Sequence, residues 1–342
     1  MKPLHLLALP LLLAGCSCPW TQSDTKAYPQ NQSIQKIVDD QAKSAKETLH
    51  PKGLCIVVAE PKSGKILALS GIASGVMYES GSTFKPFVVV AGLEKGVITP
   101  KTKINCENGS FTVAGKAIKD HYPSGDLTYD EILMKSSNIG ASKIALLVKD
   151  QDYFDFIRKF GFGEKTGIAI PGEIPGLVNP PSKWDALTKV RNAFGQSVAV
   201  TPIQLAMAYG TLANGGRLMK PVIGNEKPVV VRQVCSSRSA NLVKNALKNT
   251  VTDQGTAPLA RVDGVTVGGK TGTAQAIAPS GGYYADKYIT SFAGFFPVEK
   301  PRYVVVVVVD QADLPPEKNY GGLVAAPIFS SIASQISKLP SK

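Results

Sequence analysis

Apolar residues at Ile34, Ile37, Val38, Ala42, Ala45 and Leu49 recur at helical spacing and predict an amphipathic helix. The short apolar segments Leu54–Glu60 and Lys65–Ser70 flank the turn sequence Pro61-Lys62-Ser63-Gly64, so the pair reads as a hairpin. Farther along, Thr128-x-x-Glu131 has the form of a capping box, and Thr201-Pro202-Ile203-Gln204 opens a helix with Pro at its first position. Asn214-Gly215-Gly216 closes that helix. Three strand candidates follow, Val265–Gln275, Tyr288–Phe296 and Arg302–Asp310, and then a closing helix from Leu323 to Ile336. The unbroken valines Val304 to Val309 suit a strand buried on both faces. Strands at both ends of the chain, with helices between them, predict an α+β fold. Its antiparallel sheet is built from both chain ends and covered by helices, with an all-helical subdomain inserted.

The N-terminal pattern is different. Met1-Lys2 precedes an apolar run from Leu4 to Leu13 that ends in Ala14-Gly15-Cys16. A positive start, about ten apolar residues and small residues after them read as an export signal over residues 1–15. The run is shorter than the roughly 20 apolar residues a bilayer span requires. Leu13-Ala14-Gly15-Cys16 also resembles the bacterial lipobox, which implies that Cys16 is lipidated and holds the mature protein on a membrane face. The alternative is a plain secretory signal. Polar residues with Pro19 and Pro29 make 16–32 a tether, which leaves residues 33–342 as the functional domain. The expected location is the cell envelope, either periplasmic or at the outer face of the cytoplasmic membrane.

Charge and cysteines take their meaning from export. The chain of 342 residues has 38 Lys plus Arg and 26 Asp plus Glu, a formal charge of +12. Removing Lys2 with the signal leaves 37 − 26 = +11. No nucleic-acid partner is expected outside the cell, and with no run of five like charges the excess reads as a solvated surface. Cys18, Cys55, Cys106 and Cys235 remain beside Cys16, and no bridge among them is predicted; Cys55 reads as a small buried hydrophobe. The three histidines, His5, His50 and His121, lie too far apart for a metal site, and no metal or cofactor is expected. Acyl-transfer or hydrolytic chemistry therefore needs another base.

Three short motifs offer that chemistry. In Gly81-Ser82-Thr83-Phe84-Lys85-Pro86, Ser82 reads as a helix N-cap with Lys85 on the same face, one turn on. Positive partial charge at a helix N-terminus favours a developing alkoxide, and a neutral lysine can take its proton. Ser136-Ser137-Asn138 follows the capped helix and supplies a hydroxyl and an amide. Lys270-Thr271-Gly272-Thr273 lies on a predicted strand after Gly268-Gly269, where small residues allow a ligand close to the backbone. Each motif is weak alone. Ser23…Lys26, Ser33…Lys36, Ser239-Ala240-Asn241 and Lys165-Thr166-Gly167 match as well, in tether, helix or turn contexts.

Taken in order, the three motifs resemble the signature set of penicillin-recognising serine acyltransferases. The surrounding segments resemble class B penicillin-binding proteins. These are Tyr78 to Pro86, Lys135 to Gly140, Gly161-Phe162-Gly163 with Thr166-Gly167, Pro171-Gly172-Glu173, Thr201 to Ala206, Gly269 to Gln275, and Tyr320-Gly321-Gly322 through Pro327. The resemblance implies a β-lactamase/transpeptidase-like fold and a D,D-transpeptidase acting on peptidoglycan stem peptides, acylated by β-lactams. Carried over, Ser82 is the nucleophile, Lys85 its base and Ser136 the proton relay. Asn138 holds the donor peptide, and Lys270, Thr271, Gly272 and Thr273 take the terminal carboxylate. The N–H groups of Ser82 and Thr273 form the oxyanion hole. A D,D-carboxypeptidase or β-lactamase on the same scaffold, or a non-catalytic β-lactam or wall-peptide sensor, are the other readings.

A neutral lysine near pH 7 requires a pKa fall of roughly 3 units, about 4 kcal/mol, which burial and a second cation, Lys270, would both favour. The sequence departs from the family's pattern in four respects. No pedestal domain is expected before the transpeptidase region, Ser80 stands where proline is usual, and Gly195-Gln196-Ser197 replaces Gly-Gln-Gly. The join Gly71–Met77 is also short.

Overall fold

A computed structural model describes residues 31–340; Cys16, Cys18 and the 1–30 segment, with the signal and lipidation expectations, lie outside the described residues. Helix α1 (Gln32–Leu49) begins at Asn31, whose side chain accepts from the Ile34 N–H. It ends at His50 in the left-handed conformation, a capping role that needs no catalytic explanation. Strands β1 (Gly53–Ala59) and β2 (Ile66–Ser70) form the expected hairpin. From the other chain end come β3 (Gly268–Ile277), β4 (Tyr283–Phe296) and β5 (Tyr303–Asp310). The five strands pair in the order β3-β4-β5-β1-β2, all antiparallel. The two chain ends meet where Gly53 to Ala59 lie opposite Asp310 to Val304.

The valine run explains why β5 is central. Val304, Val306 and Val308 join the core on one face; Val305, Val307 and Val309 join a second core on the other. All six are fully buried. The second face is closed by α1 and by the C-terminal helix α6 (Ala325–Ser337), with the Phe292 ring tilted against Phe329 and the Phe296 ring edge-on to it. The first face is covered by the long insertion between β2 and β3. Its helices include α2 (Lys85–Glu94), α3 (Tyr129–Lys135), α4 (Asn138–Leu147) and α5 (Pro202–Ala213). Every residue of α5 is buried, consistent with its capping box and Pro start at the centre of the molecule. The insertion also carries short strand pairs, among them the hairpin of Ser110–Val113 with Lys116–Lys119. Cys55, Cys106 and Cys235 are unbridged and buried. No described helix is long and apolar enough to cross a membrane.

Candidate active site

Ser82 is not a helix N-cap. It lies inside a 3₁₀ turn, Gly81–Phe84, and α2 starts only at Lys85. The cause is Pro86. An α-helix would bond the Ser82 carbonyl to the N–H four residues on, which proline lacks, so the carbonyl takes the Lys85 N–H instead. The turn tightens, and Thr83 Oγ1 donates to the Ser80 carbonyl at 2.8 Å to close it from below. Ser82 and Lys85 still share a face, because residues three apart eclipse in this geometry.

Lys85 is the hub of the site. Its Nζ lies 2.9 Å from Ser82 Oγ, 3.1 Å from Ser136 Oγ and 2.7 Å from Asn138 Oδ1, and it donates to the Ser136 carbonyl. Two of these partners can only accept. The Asn138 amide is oriented by its Nδ2, which donates to the Lys119 carbonyl at 2.9 Å, so Oδ1 must face the lysine. A neutral amine has two N–H groups and one lone pair. With both N–H groups given to Ser136 O and Asn138 Oδ1, the lone pair faces the hydroxyls, and Ser82 O–H can donate into it.

Burial favours that neutral form. Lys85 and Lys270 are both completely buried, and neither makes an ion pair among the described residues. Loss of hydration pushes Lys85 down to about 7, while the Asp120 carboxylate pulls the other way. Lys270 is also pushed down, first by burial and then by the charge of Lys85. The charge of Lys85 thus opposes a proton on Lys270.

The strand β3 side of the site is held by backbone contact. A Cβ on Gly272 would lie 2.6 Å from the Ser80 carbonyl and 2.4 Å from Ser291 Oγ, so only glycine lets the Ser80–Thr83 turn reach the strand. Gly81, at φ +54°, packs on Thr273: a Cβ there would sit 3.2 Å from the Thr273 nitrogen. The Ser82 and Thr273 segments are therefore neighbours. By contrast, Gly268 and Gly269 do not open the strand to a ligand as the sequence suggested. They make room for the rings of Phe295 and Phe292. Thr271 Oγ1 shares a hydrogen bond with Thr256 Oγ1 at 2.9 Å, and Thr273 Oγ1 accepts from the Gly321 N–H at 3.0 Å.

Three of the decoy motifs are accounted for elsewhere, and Ser23…Lys26 lies outside the described residues. Thr166 of Lys165-Thr166-Gly167 is bonded to the Glu173 carboxylate in a turn, and Ser239 bonds to Ser236 at a helix start. Ser33 and Lys36 lie on α1, where Lys36 pairs with Asp40 on the surface. Sequence reasoning missed three groups. Asp120 bonds to the start of α4, Thr256 touches Thr271, and Glu79 ties the nucleophile segment to its surroundings. The Glu79 carboxylate accepts from the Ser197 N–H at 2.7 Å and from Tyr283 Oη at 2.9 Å. Burial raises its pKa. Ser197, where the family pattern has glycine, holds φ at +58°. The hydroxyl of Ser80, at the usual proline position, is buried without a hydrogen-bond partner among the described residues. Only Glu79 had any signal, being next to the serine motif.

Fold and site together define the penicillin-recognising serine scaffold. The chain belongs to the penicillin-binding protein transpeptidase domain family, whose model matches residues 54–334. It is 33% identical to stage V sporulation protein D of Bacillus subtilis strain 168 over 334 residues, covering 87% of this chain and 51% of that protein. It is also 33% identical to peptidoglycan D,D-transpeptidase FtsI of Escherichia coli K12 over 258 residues, 75% of this chain and 43% of that one. The chain thus spans about half the length of these curated relatives. Among solved structures, the apo transpeptidase domain of penicillin-binding protein 3 from Burkholderia pseudomallei superposes with TM-score 0.84 at 32% identity. That match covers 92% of this chain and 97% of the other. Penicillin-binding protein 3 from Mycobacterium tuberculosis, complexed with ampicillin, matches with TM-score 0.80 at 29% identity, covering 90% and 76% of the two chains.

Proposed function

We propose that the protein is a serine D,D-transpeptidase that cross-links peptidoglycan stem peptides and is acylated by β-lactams. The observation that carries the reading is the buried Lys85 amine, its pKa near 7, set 2.9 Å from Ser82 Oγ. Lys85 takes the Ser82 proton as Oγ attacks the carbonyl of the penultimate D-alanine. The N–H groups of Ser82 and Thr273 hold the oxyanion, a contribution of roughly 10²–10³ in rate per donor. Ser136, within reach of Lys85, passes the proton to the leaving D-alanine as the peptide C–N bond breaks. An amine on a second stem then attacks the acyl-Ser82 ester, its proton returns through the same groups, and Ser82 leaves with its proton restored. Lys270, Thr271 and Thr273 take the substrate carboxylate. The ampicillin complex of the Mycobacterium tuberculosis relative supports a β-lactam as substrate mimic.

Incubation with a donor stem peptide and an amine acceptor is expected to give the cross-linked product by mass spectrometry, with one free D-alanine per bond formed. Free D-alanine with trimmed donor alone would identify a carboxypeptidase, and rapid turnover of penicillin a β-lactamase.

Work in the cell envelope follows from this substrate. The Leu13-Ala14-Gly15-Cys16 sequence supports cleavage after residue 15 and lipidation of Cys16, with a tether over 16–32. Mass spectrometry of membrane-extracted protein is expected to show an acylated N-terminal peptide beginning at Cys16, and Cys16→Ala to release the protein from the membrane fraction. An unmodified peptide starting elsewhere would refute the anchor.

A further inference from the structure

We propose that Asp120 is a positioning residue of this site, its carboxylate holding the Ser136–Asn138 turn in the shape that presents it to Lys85. This rests on reading Ser82 and Lys85 as nucleophile and base. The turn is a two-residue joint between helices. Ser136 ends α3 in the left-handed conformation, φ +60°, and Ser137 begins α4 as its N-cap, accepting from the Gly140 N–H at 2.8 Å. A non-glycine residue in that region is strained and persists only where its surroundings fix it. Its conformation matters, because both the carbonyl and the hydroxyl of Ser136 meet Lys85 Nζ.

Asp120 supplies the fixing contacts. Oδ1 accepts from the backbone N–H of Asn138 at 2.6 Å and of Ile139 at 3.0 Å, and Oδ2 accepts from Ser137 Oγ at 2.5 Å. The first two are donors that a helix start leaves without intrahelical partners, and an anion there is favourable. The preceding residue contributes as well, since the Lys119 carbonyl orients the Asn138 amide. The same segment therefore sets both side chains of the turn that face the lysine. Asp120 itself is delivered by the exit of the Ser110–Lys119 hairpin, where its N–H donates to the Gly109 carbonyl.

The carboxylate also has an electrostatic consequence. It is the anion that favours a proton on Lys85, against burial. Lys119 and His121 flank it on its own segment, and Lys85 on α2 feels its charge, as Lys270 on β3 in turn feels that of Lys85. Beyond Ser137 lies Cys106, which is influenced in turn by Lys143 and Asp126. Removing the negative charge while keeping the hydrogen bonds should let Lys85 lose its proton at lower pH. Removing both should loosen the turn.

The test compares wild type, Asp120→Asn and Asp120→Ala in the full chain. It measures acylation by fluorescent penicillin against pH, the titration of ¹⁵N-lysine-labelled Lys85 by NMR, and thermal unfolding. Asp120→Asn keeps an acceptor for the two backbone donors. Its maximal rate is expected to stay within about threefold, with the acidic limb and the Lys85 midpoint both moved to lower pH. Asp120→Ala is expected to lose about 100-fold at every pH, the usual consequence of misplacing a catalytic group. A residue needed for stability alone would lower the melting temperature and leave the limb where it is. An unmoved limb and Lys85 midpoint in Asp120→Asn would overturn the proposal, as would an Asp120→Ala rate close to wild type. Should Asp120→Ala not fold, Asp120→Asn decides. If wild type is never acylated, the functional reading fails, and the Lys85 midpoint still tests Asp120.

Discussion

Ser82→Ala is expected to abolish covalent labelling by penicillin, a drop in acylation rate of about 10⁴-fold or more, since loss of a nucleophile removes the whole covalent route. The fold should be unaffected. Ser82 is partly exposed, and the hydrogen bond its hydroxyl makes is to Lys85 Nζ, which keeps Ser136 and Asn138 as partners. The informative rival is Ser136, whose hydroxyl lies 3.1 Å from the same amine. Peptide mapping of the labelled wild type separates the two, with the adduct expected on the peptide containing Ser82. Label on Ser136, or label that survives in Ser82→Ala, would remove Ser82 from its role.

Lys85→Met is expected to lower acylation by about 10³–10⁴-fold, the upper range for loss of a general base, and to be most stable relative to wild type near neutral pH, losing ground as pH rises. The sign follows from the proton balance. Lys85 titrates at about 7 when folded, against 10.5 for the model side chain. Between those values the unfolded chain carries a proton that the folded chain does not, so stability rises with pH across this window. As pH falls below 7, the cost of holding the lysine approaches its full value, about 5 kcal/mol. Methionine removes that cost and relieves Lys270 of a neighbouring charge. It also strands the Ser136 carbonyl and the Asn138 Oδ1, at about 1–3 kcal/mol each. At pH 7 the two effects are of similar size, so the expected result is the trend: the stability of the variant relative to wild type should fall steadily from pH 7 to pH 10. Urea unfolding at pH 7, 8.5 and 10 measures this, and a stability difference that does not change with pH would contradict the lysine's depressed pKa.

The parts of this molecule legible in the sequence are those in which neighbouring residues determine one another. Ile34 to Leu49 show helical spacing because one face of α1 is buried, and the Thr201-x-x-Gln204 box bonds to itself across three residues. The six valines announced a strand with no solvent face, and β5 is that strand. The Ser82 and Lys85 pair is legible for the same reason, its members being one turn apart. The helix N-cap at Ser82 was misread because the Pro86 effect acts on a carbonyl four residues back, a backbone matter that side-chain patterning does not display.

Asp120 and Glu79 could not be found that way. The partner of Asp120 lies 17 residues on in Ser137, and that of Glu79 lies 204 residues on in Tyr283. Thr256, with its hydroxyl on Thr271, had no pattern at all. Gly268 and Gly269 show the same limit in reverse, since their role belongs to phenylalanines on the next strand.

By itself the sequence determined the α+β layout, the serine–lysine pair and, with only three histidines, that proton transfer must run through another base. Only the tertiary structure decided that Lys85 can be that base. Its depressed pKa is a property of burial, which outweighs the opposing pull of the Asp120 carboxylate. A lysine in water keeps its proton at pH 7. Loss of hydration takes it away, and that depends on what the folded chain packs around the amine.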